Sequence, residues 1–181
     1  IYREGVYCED IAKMIASNSR DPESIIGDIH AQTEATKVNE IEILRLVKKY
    51  GRDSIVKGMA EVQDFVETAA RRRISELPDG VWETVDYIDR DPASGEGMIP
   101  IKIKMTISGD TINYDFTGSH SVISSIYNSA PGATFSAVVA GMKTFFPDLP
   151  LNGGFYRMIT VDAPKNSIVS AEWPVAVTGF L

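Results

Sequence analysis

The residues best placed to do chemistry lie in one stretch, Gly27-Asp28-Ile29-His30-Ala31-Gln32-Thr33-Glu34-Ala35-Thr36-Lys37-Val38-Asn39-Glu40. On a helix Asp28, Gln32, Thr36 and Asn39 recur at steps of three and four and form one polar line. The line carries short carboxylate, amide and hydroxyl groups. A solvated helix face would favour Glu, Lys and Arg, which are better helix formers. Such a face either meets other protein or borders a site, and the residue types leave both readings open.

Other polar groups sit at the ends of predicted elements. Asp115-Phe116-Thr117-Gly118-Ser119 places an acid at a strand end before a tight Thr-Gly-Ser turn. Free hydroxyls and N–H groups there would meet an anion or a carbonyl; a capping turn is the structural alternative. Asn128, Asn152 beside two glycines, and Arg157 are comparable. The two histidines, His30 and His120, have acids nearby in sequence (Asp28, Asp115) but no metal-ligand spacing. Phosphate-cradling, dinucleotide, HExxH, GxSxG and CxxC patterns are absent. The single Cys8 excludes an internal disulfide and reads as a small buried hydrophobe in a reducing compartment.

The elements that must hold these groups follow from periodicity. Residues 9–18 form a short helix with acids at its start. Asp21 caps a long helix from Pro22 to about Tyr50, which stops at Gly51. Ile55, Met59, Val62, Val66, Ala70, Ile74 and Leu77 form the stripe of a second long helix ended by Pro78-Asp79-Gly80. The short joint predicts an antiparallel helical hairpin. The period then becomes two: strands over 81–88 and from Ile101 to Ile107, a turn at Gly109-Asp110, and a return strand through Ile112, Tyr114 and Phe116. A helix from about Gly132 to Pro147 is apolar on most sides and should be deeply buried. Strands over 155–161 and 168–171 follow, and Trp173 should plug a core. The expected class is α+β: a helical part (1–78), then a mainly antiparallel sheet packed on a buried helix (79–181).

With 181 residues, 44% of them apolar, the chain can bury a core. A net charge of −7 argues against nucleic acid, and the cluster Arg71-Arg72-Arg73 suits an ion-paired helix face. No apolar run is long enough to span a bilayer. The start at Ile1 and the apolar end Val175-Ala176-Val177-Thr178-Gly179-Phe180-Leu181 suggest a segment excised from a longer polypeptide.

On Gly27-Asp28-x-x-Ala31-Gln32, Glu76-Leu77-Pro78-Asp79-Gly80, Asp115-Phe116-Thr117-Gly118-Ser119, Asn128, Pro150-Leu151-Asn152-x-Gly154 and Ala163-Pro164, the chain resembles the hydantoinase B / 5-oxoprolinase family. That family also contains the large subunits of acetone and acetophenone carboxylases. The resemblance covers nearly the whole chain, in the family's order. It implies a large cytoplasmic enzyme that hydrolyses cyclic amides with ATP, or alternatively carboxylates ketones. A partner of the hydantoinase A type would handle ATP, and the ligands for a divalent metal would lie outside this segment. The segment alone is then expected to be inactive. Asp28 and Gln32 are the first candidates for groups facing a substrate or metal cavity, with Asp115 and Asn128 next. A carboxylate would bind a metal or orient water, and amides would fix a ring C=O and N–H. His30 stands where the family commonly has Arg, and Asn128-Ser129-Ala130 where it often has Asn-Cys-Pro, so His30 is given no role by analogy. The competing class is a non-catalytic scaffold that holds the partner subunit.

Overall fold

The computed structural model describes residues 1–177, so part of the apolar end, 178–181, lies outside the described residues. It comprises two compact units, Ile1–Gly58 and Met59–Leu181.

The first unit opens with a small antiparallel hairpin, β1 (Tyr2–Arg3) and β2 (Val6–Tyr7), then α1 (Glu9–Ser17) and α2 (Pro22–Tyr50). The ends of α2 follow the local chemistry. The Asp21 carboxylate accepts the Ser24 N–H at 3.2 Å, and Pro22 occupies the first turn. Gly51, at φ 84°, donates its N–H to the Val47 carbonyl at 2.8 Å. Only a residue without Cβ adopts that φ cheaply. No residue of α2 is buried, and Ile41 and Leu44 are 65% and 58% exposed. The apolar positions Ile41 and Leu44 of α2 thus form a stripe that stays uncovered within the first unit. Nothing among the described residues covers that stripe.

The C-terminal half of α3 (Arg52–Ser75), which lies in the second unit, contributes to the core through Val66, Ala70 and Ile74. The earlier part of the same stripe, Met59 and Val62, stays exposed. Three strands follow, β3 (Gly80–Arg90), β4 (Gly97–Ser108) and β5 (Thr111–Asp115), then α4 (Pro131–Phe145), a short helical turn α5 (Gly153–Tyr156) and β6 (Ile159–Asp162). The sheet order is β3-β4-β5-β6. The first two pairings are antiparallel and the last is parallel. The class is thus α+β with a mainly antiparallel sheet, as the alternation predicts.

Ile99, Ile107, Ile112 and Phe116 from the sheet side pack with Val138, Val139 and Met142 of α4 in one core. The helix buries one face only, and Phe145 remains 75% exposed, which corrects the expectation of burial on most sides. Two strand boundaries are also corrected. Residues 153–156 form a helical turn because Asn152 caps it, its side chain accepting the Gly154 N–H at 2.9 Å. Residues 168–171 form a buried turn, held by the Ser129 N–H to the Ile168 carbonyl at 2.7 Å and by the Ala171 N–H to the Ser129 carbonyl at 2.9 Å. Trp173 is 95% exposed and plugs nothing among the described residues.

Candidate functional site

Asp28 and Gln32 lie one turn apart on α2 and both are exposed. Their side chains make no hydrogen bond among the described residues, and an added Cβ at neighbouring Gly27 would meet nothing within 4 Å. Farther along the line, the Thr36 hydroxyl donates back to the Thr33 carbonyl at 2.7 Å. Asp28 and Gln32 are therefore free polar groups on the exposed helix α2. His30 differs from them. Its ring stacks on Tyr7 at 5.1 Å between centroids, and Nδ1 lies 3.3 Å from the Tyr2 hydroxyl. That contact anchors the β1–β2 hairpin to α2 and accounts for the residue structurally.

Asp115 and Asn128 belong to the second unit and are engaged. Asn128 is wholly buried. Its Oδ1 accepts the Ile123 N–H at 2.8 Å, and Nδ2 donates to the carbonyls of Ile123, Ser125 and Ala176 at 2.9, 2.8 and 3.0 Å. A buried amide must be paired in this way, and here the pairing closes the loop that leads into α4.

The Asp115 carboxylate accepts the Thr117 N–H at 2.8 Å. Hydrogen bonds from the Thr117 hydroxyl and N–H, with the Lys104 charge nearby, hold its pKa below the usual carboxylate range. The Ser119 hydroxyl both accepts the Lys102 N–H at 2.9 Å and donates to the Lys102 carbonyl at 3.1 Å. The Thr-Gly-Ser turn is thus stitched to β4 through its own hydrogen bonds. On the outer face of the sheet, Asp115 borders a hollow of about 510 Å³ with Glu83, Lys102, Lys104 and Thr117.

The strand register explains this charge pattern. Glu83 faces Lys104 across β3 and β4, Lys104 faces Asp115, and Asp115 faces Asp162 across the parallel pair. Alternating signs along most of the row are favourable, and the last like-charged pair is relieved by Asn113, whose Nδ2 donates to Asp162 at 2.6 Å.

Three further polar centres are long-range or turn features. Asp91 has no exposed surface. It accepts from the Ser94 hydroxyl at 2.7 Å and from the N–H groups of Ala93 and Ser94 at 3.1 and 3.3 Å. Burial pushes its pKa up, but hydrogen bonds from Ser94, Ser125 and Ala93 outweigh that and hold it at about 2. The Asp-Pro-Ala-Ser sequence is an Asx-turn signal that could have revealed it. Arg157 bridges Asp64 at 2.8 Å and Glu67 at 2.9 Å, pinning the segment after α5 to α3. His120 contacts Glu96 at 3.2 Å and the Ser121 carbonyl at 2.8 Å.

Among the described residues no three His, Cys, Asp or Glu side chains converge into a metal-binding group.

Comparison with known proteins gives the frame for these groups. The model of the hydantoinase B/oxoprolinase family matches residues 1–181. An uncharacterised protein of Methanocaldococcus jannaschii is 30% identical over 171 residues, covering 94% of this chain and 30% of that protein. A putative B-type subunit of a D-/L-hydantoinase from a Pseudomonas species is 25% identical over 187 residues, covering 96% of this chain and 31% of that protein. The crystal structure of an ATP-dependent caprolactamase from Pseudomonas jessenii superposes with a TM-score of 0.85 at 25% identity, covering 98% of this chain and 31% of that one. The chain thus spans about a third of the length of these relatives. It belongs to the hydantoinase B/oxoprolinase family.

Proposed function

We propose that this chain is the central region of a B-type subunit in an enzyme that opens cyclic amides at the expense of ATP, and that Asp28 and Gln32 are the groups it offers to the substrate. The observation that carries the reading is the likeness over 98% of the chain to an ATP-dependent caprolactamase, whose named substrate is itself a cyclic amide. The choice of residues is supported by their contrast with the rest. Asp28 and Gln32 are exposed and make no side-chain hydrogen bond among the described residues.

A small-ring lactam or hydantoin holds its C=O and N–H on the same edge. The primary amide of Gln32 matches that edge with one donor and one acceptor. The Asp28 carboxylate, one helical turn away, orients the attacking water and accepts its proton. Water oxygen adds to the ring carbonyl carbon, the C–N bond breaks, and the proton passes to the departing nitrogen. ATP binds at a partner subunit of the hydantoinase A type in this reading, and any divalent metal is held by residues elsewhere in the full subunit. Asp115 and Asn128 serve as positioning groups for the sheet and for the loop before α4.

The test uses the full-length subunit with its partner. Expected is ATP-dependent ring opening of at least one of 5-oxoproline, hydantoin or caprolactam. Consumption of a ketone that requires bicarbonate would instead place the protein with the carboxylases of the family. Neither activity would leave the scaffold class.

A further inference from the structure

The strand β3 carries more uncovered apolar surface than a sheet edge in a finished protein should. It is one of the two outer strands of the four-stranded sheet, and its residues 81–87 are all exposed. Along its roughly 35 Å, at ~3.3 Å per residue, the N–H and C=O groups that point away from β4 pair with nothing among the described residues. Native proteins blunt such edges with short strands, prolines, bulges or lysines. The sequence Gly80-Val81-Trp82-Glu83-Thr84-Val85-Asp86-Tyr87-Ile88-Asp89-Arg90 contains no proline and no lysine, and its register with β4 runs without a break from Gly80 to Ile88.

Directly below this edge lies an apolar hollow of about 560 Å³, between the inner face of the sheet and α4. Trp82 and Thr84 of β3, Ile103 and Met105 of β4, and Val138 and Phe145 of α4 line it. Trp82 is 43% exposed, although the indole would fit a core position. A hollow beneath an unpaired edge is the shape left by a missing strand. The edge supplies a ladder, and the hollow accepts every second side chain.

We propose that β3 is an interior strand in the complete subunit, paired on its free side by an extended segment of the same polypeptide that lies outside residues 1–181. That segment places apolar residues into the hollow at alternate positions. It also carries Lys or Arg facing β3, because Glu83, Asp86 and Asp89 make the edge acidic while Arg90 is its single basic residue. The same polypeptide is favoured over a separate chain on two grounds. The relatives matched over nearly all of this chain are about three times longer. An edge this apolar also needs permanent cover, which an intrachain strand provides at any concentration and a dissociating partner does not.

Hydrogen exchange and photo-cross-linking of the full-length subunit, without its partner, test the assignment. The β3 amides that do not bond to β4 should exchange as slowly as those that do, at least about 100-fold below unstructured rates. The β4-bonded amides of the same strand control for global opening. A benzophenone side chain introduced at position 145, at the mouth of the hollow, should cross-link to a segment of its own polypeptide outside residues 1–181. Fast exchange along the free edge overturns the proposal, and so does a cross-link to a second copy of the chain or no cross-link at all.

Discussion

Asp28 with Gln32 and Asp115 with Asn128 are the same kinds of side chain, an acid and an amide in each pair, yet the protein uses them differently. In the second unit the amide is sealed in the interior by backbone partners and the acid closes a turn. In the first unit both groups stand free on an exposed helix. Residue type alone therefore does not tell an engaged polar group from a free one; whether its hydrogen bonds are already made does. A satisfied buried amide costs stability when removed, and an unpartnered exposed one does not.

That contrast can be broken at several points. The largest effect should come from Gly154, where an added Cβ would lie 1.9 Å from the Gln63 carbonyl oxygen of α3. Backbone would have to move, so Gly154→Ala should cost about 3 kcal/mol or more and lower the unfolding midpoint or the soluble yield sharply. Asn128→Ala removes the amide and leaves the Ile123 N–H and several carbonyls without partners, for a loss of about 2–4 kcal/mol in denaturant titration. A near-neutral result there would undo the structural reading of that residue. Asp115→Ala should cost about 1 kcal/mol, since one turn-closing carboxylate is lost from a half-buried position.

Acid provides a different probe of the second unit. The folded pKa of Asp91, about 2, lies below the ordinary Asp value of 3.8. Its contribution is therefore present above pH ~4 and is lost as the pH falls toward 2. Unfolding midpoints measured across that window should fall with pH in the wild type and fall less in Asp91→Asn. Equal slopes for the two proteins would contradict the assignment. The smallest stability effect belongs to the first unit: Asp28→Asn and Gln32→Ala should each stay within about 0.5 kcal/mol of wild type.

Local signals made much of the fold legible. Asp21-Pro22 and Gly51 bounded α2, and Gly109-Asp110 set the β4–β5 register, because caps and tight turns are decided by adjacent residues. Pairings between distant segments were not legible. The parallel β5–β6 contact and the Arg157 bridge to α3 each depend on segments brought together from afar, whereas the turn at Asp91 had a local signal in Asp-Pro-Ala-Ser. The misreadings of Phe145 and Trp173 share another cause. Both were expected inside a core, and both are apolar residues with nothing over them among the described residues. The candidate site divides the same way. Sequence nominated all four residues, but only their hydrogen-bond partners separated the engaged pair from the free one.

The central claim, that Asp28 acts on substrate and does not hold the fold, is tested most directly by Asp28→Asn in the full-length enzyme with its partner. Turnover of the cyclic amide and the thermal midpoint are read on the same preparation. The account predicts a loss of kcat of about 100-fold or more, the scale of a lost general base, with an unchanged midpoint. Wild-type turnover in the variant would contradict it.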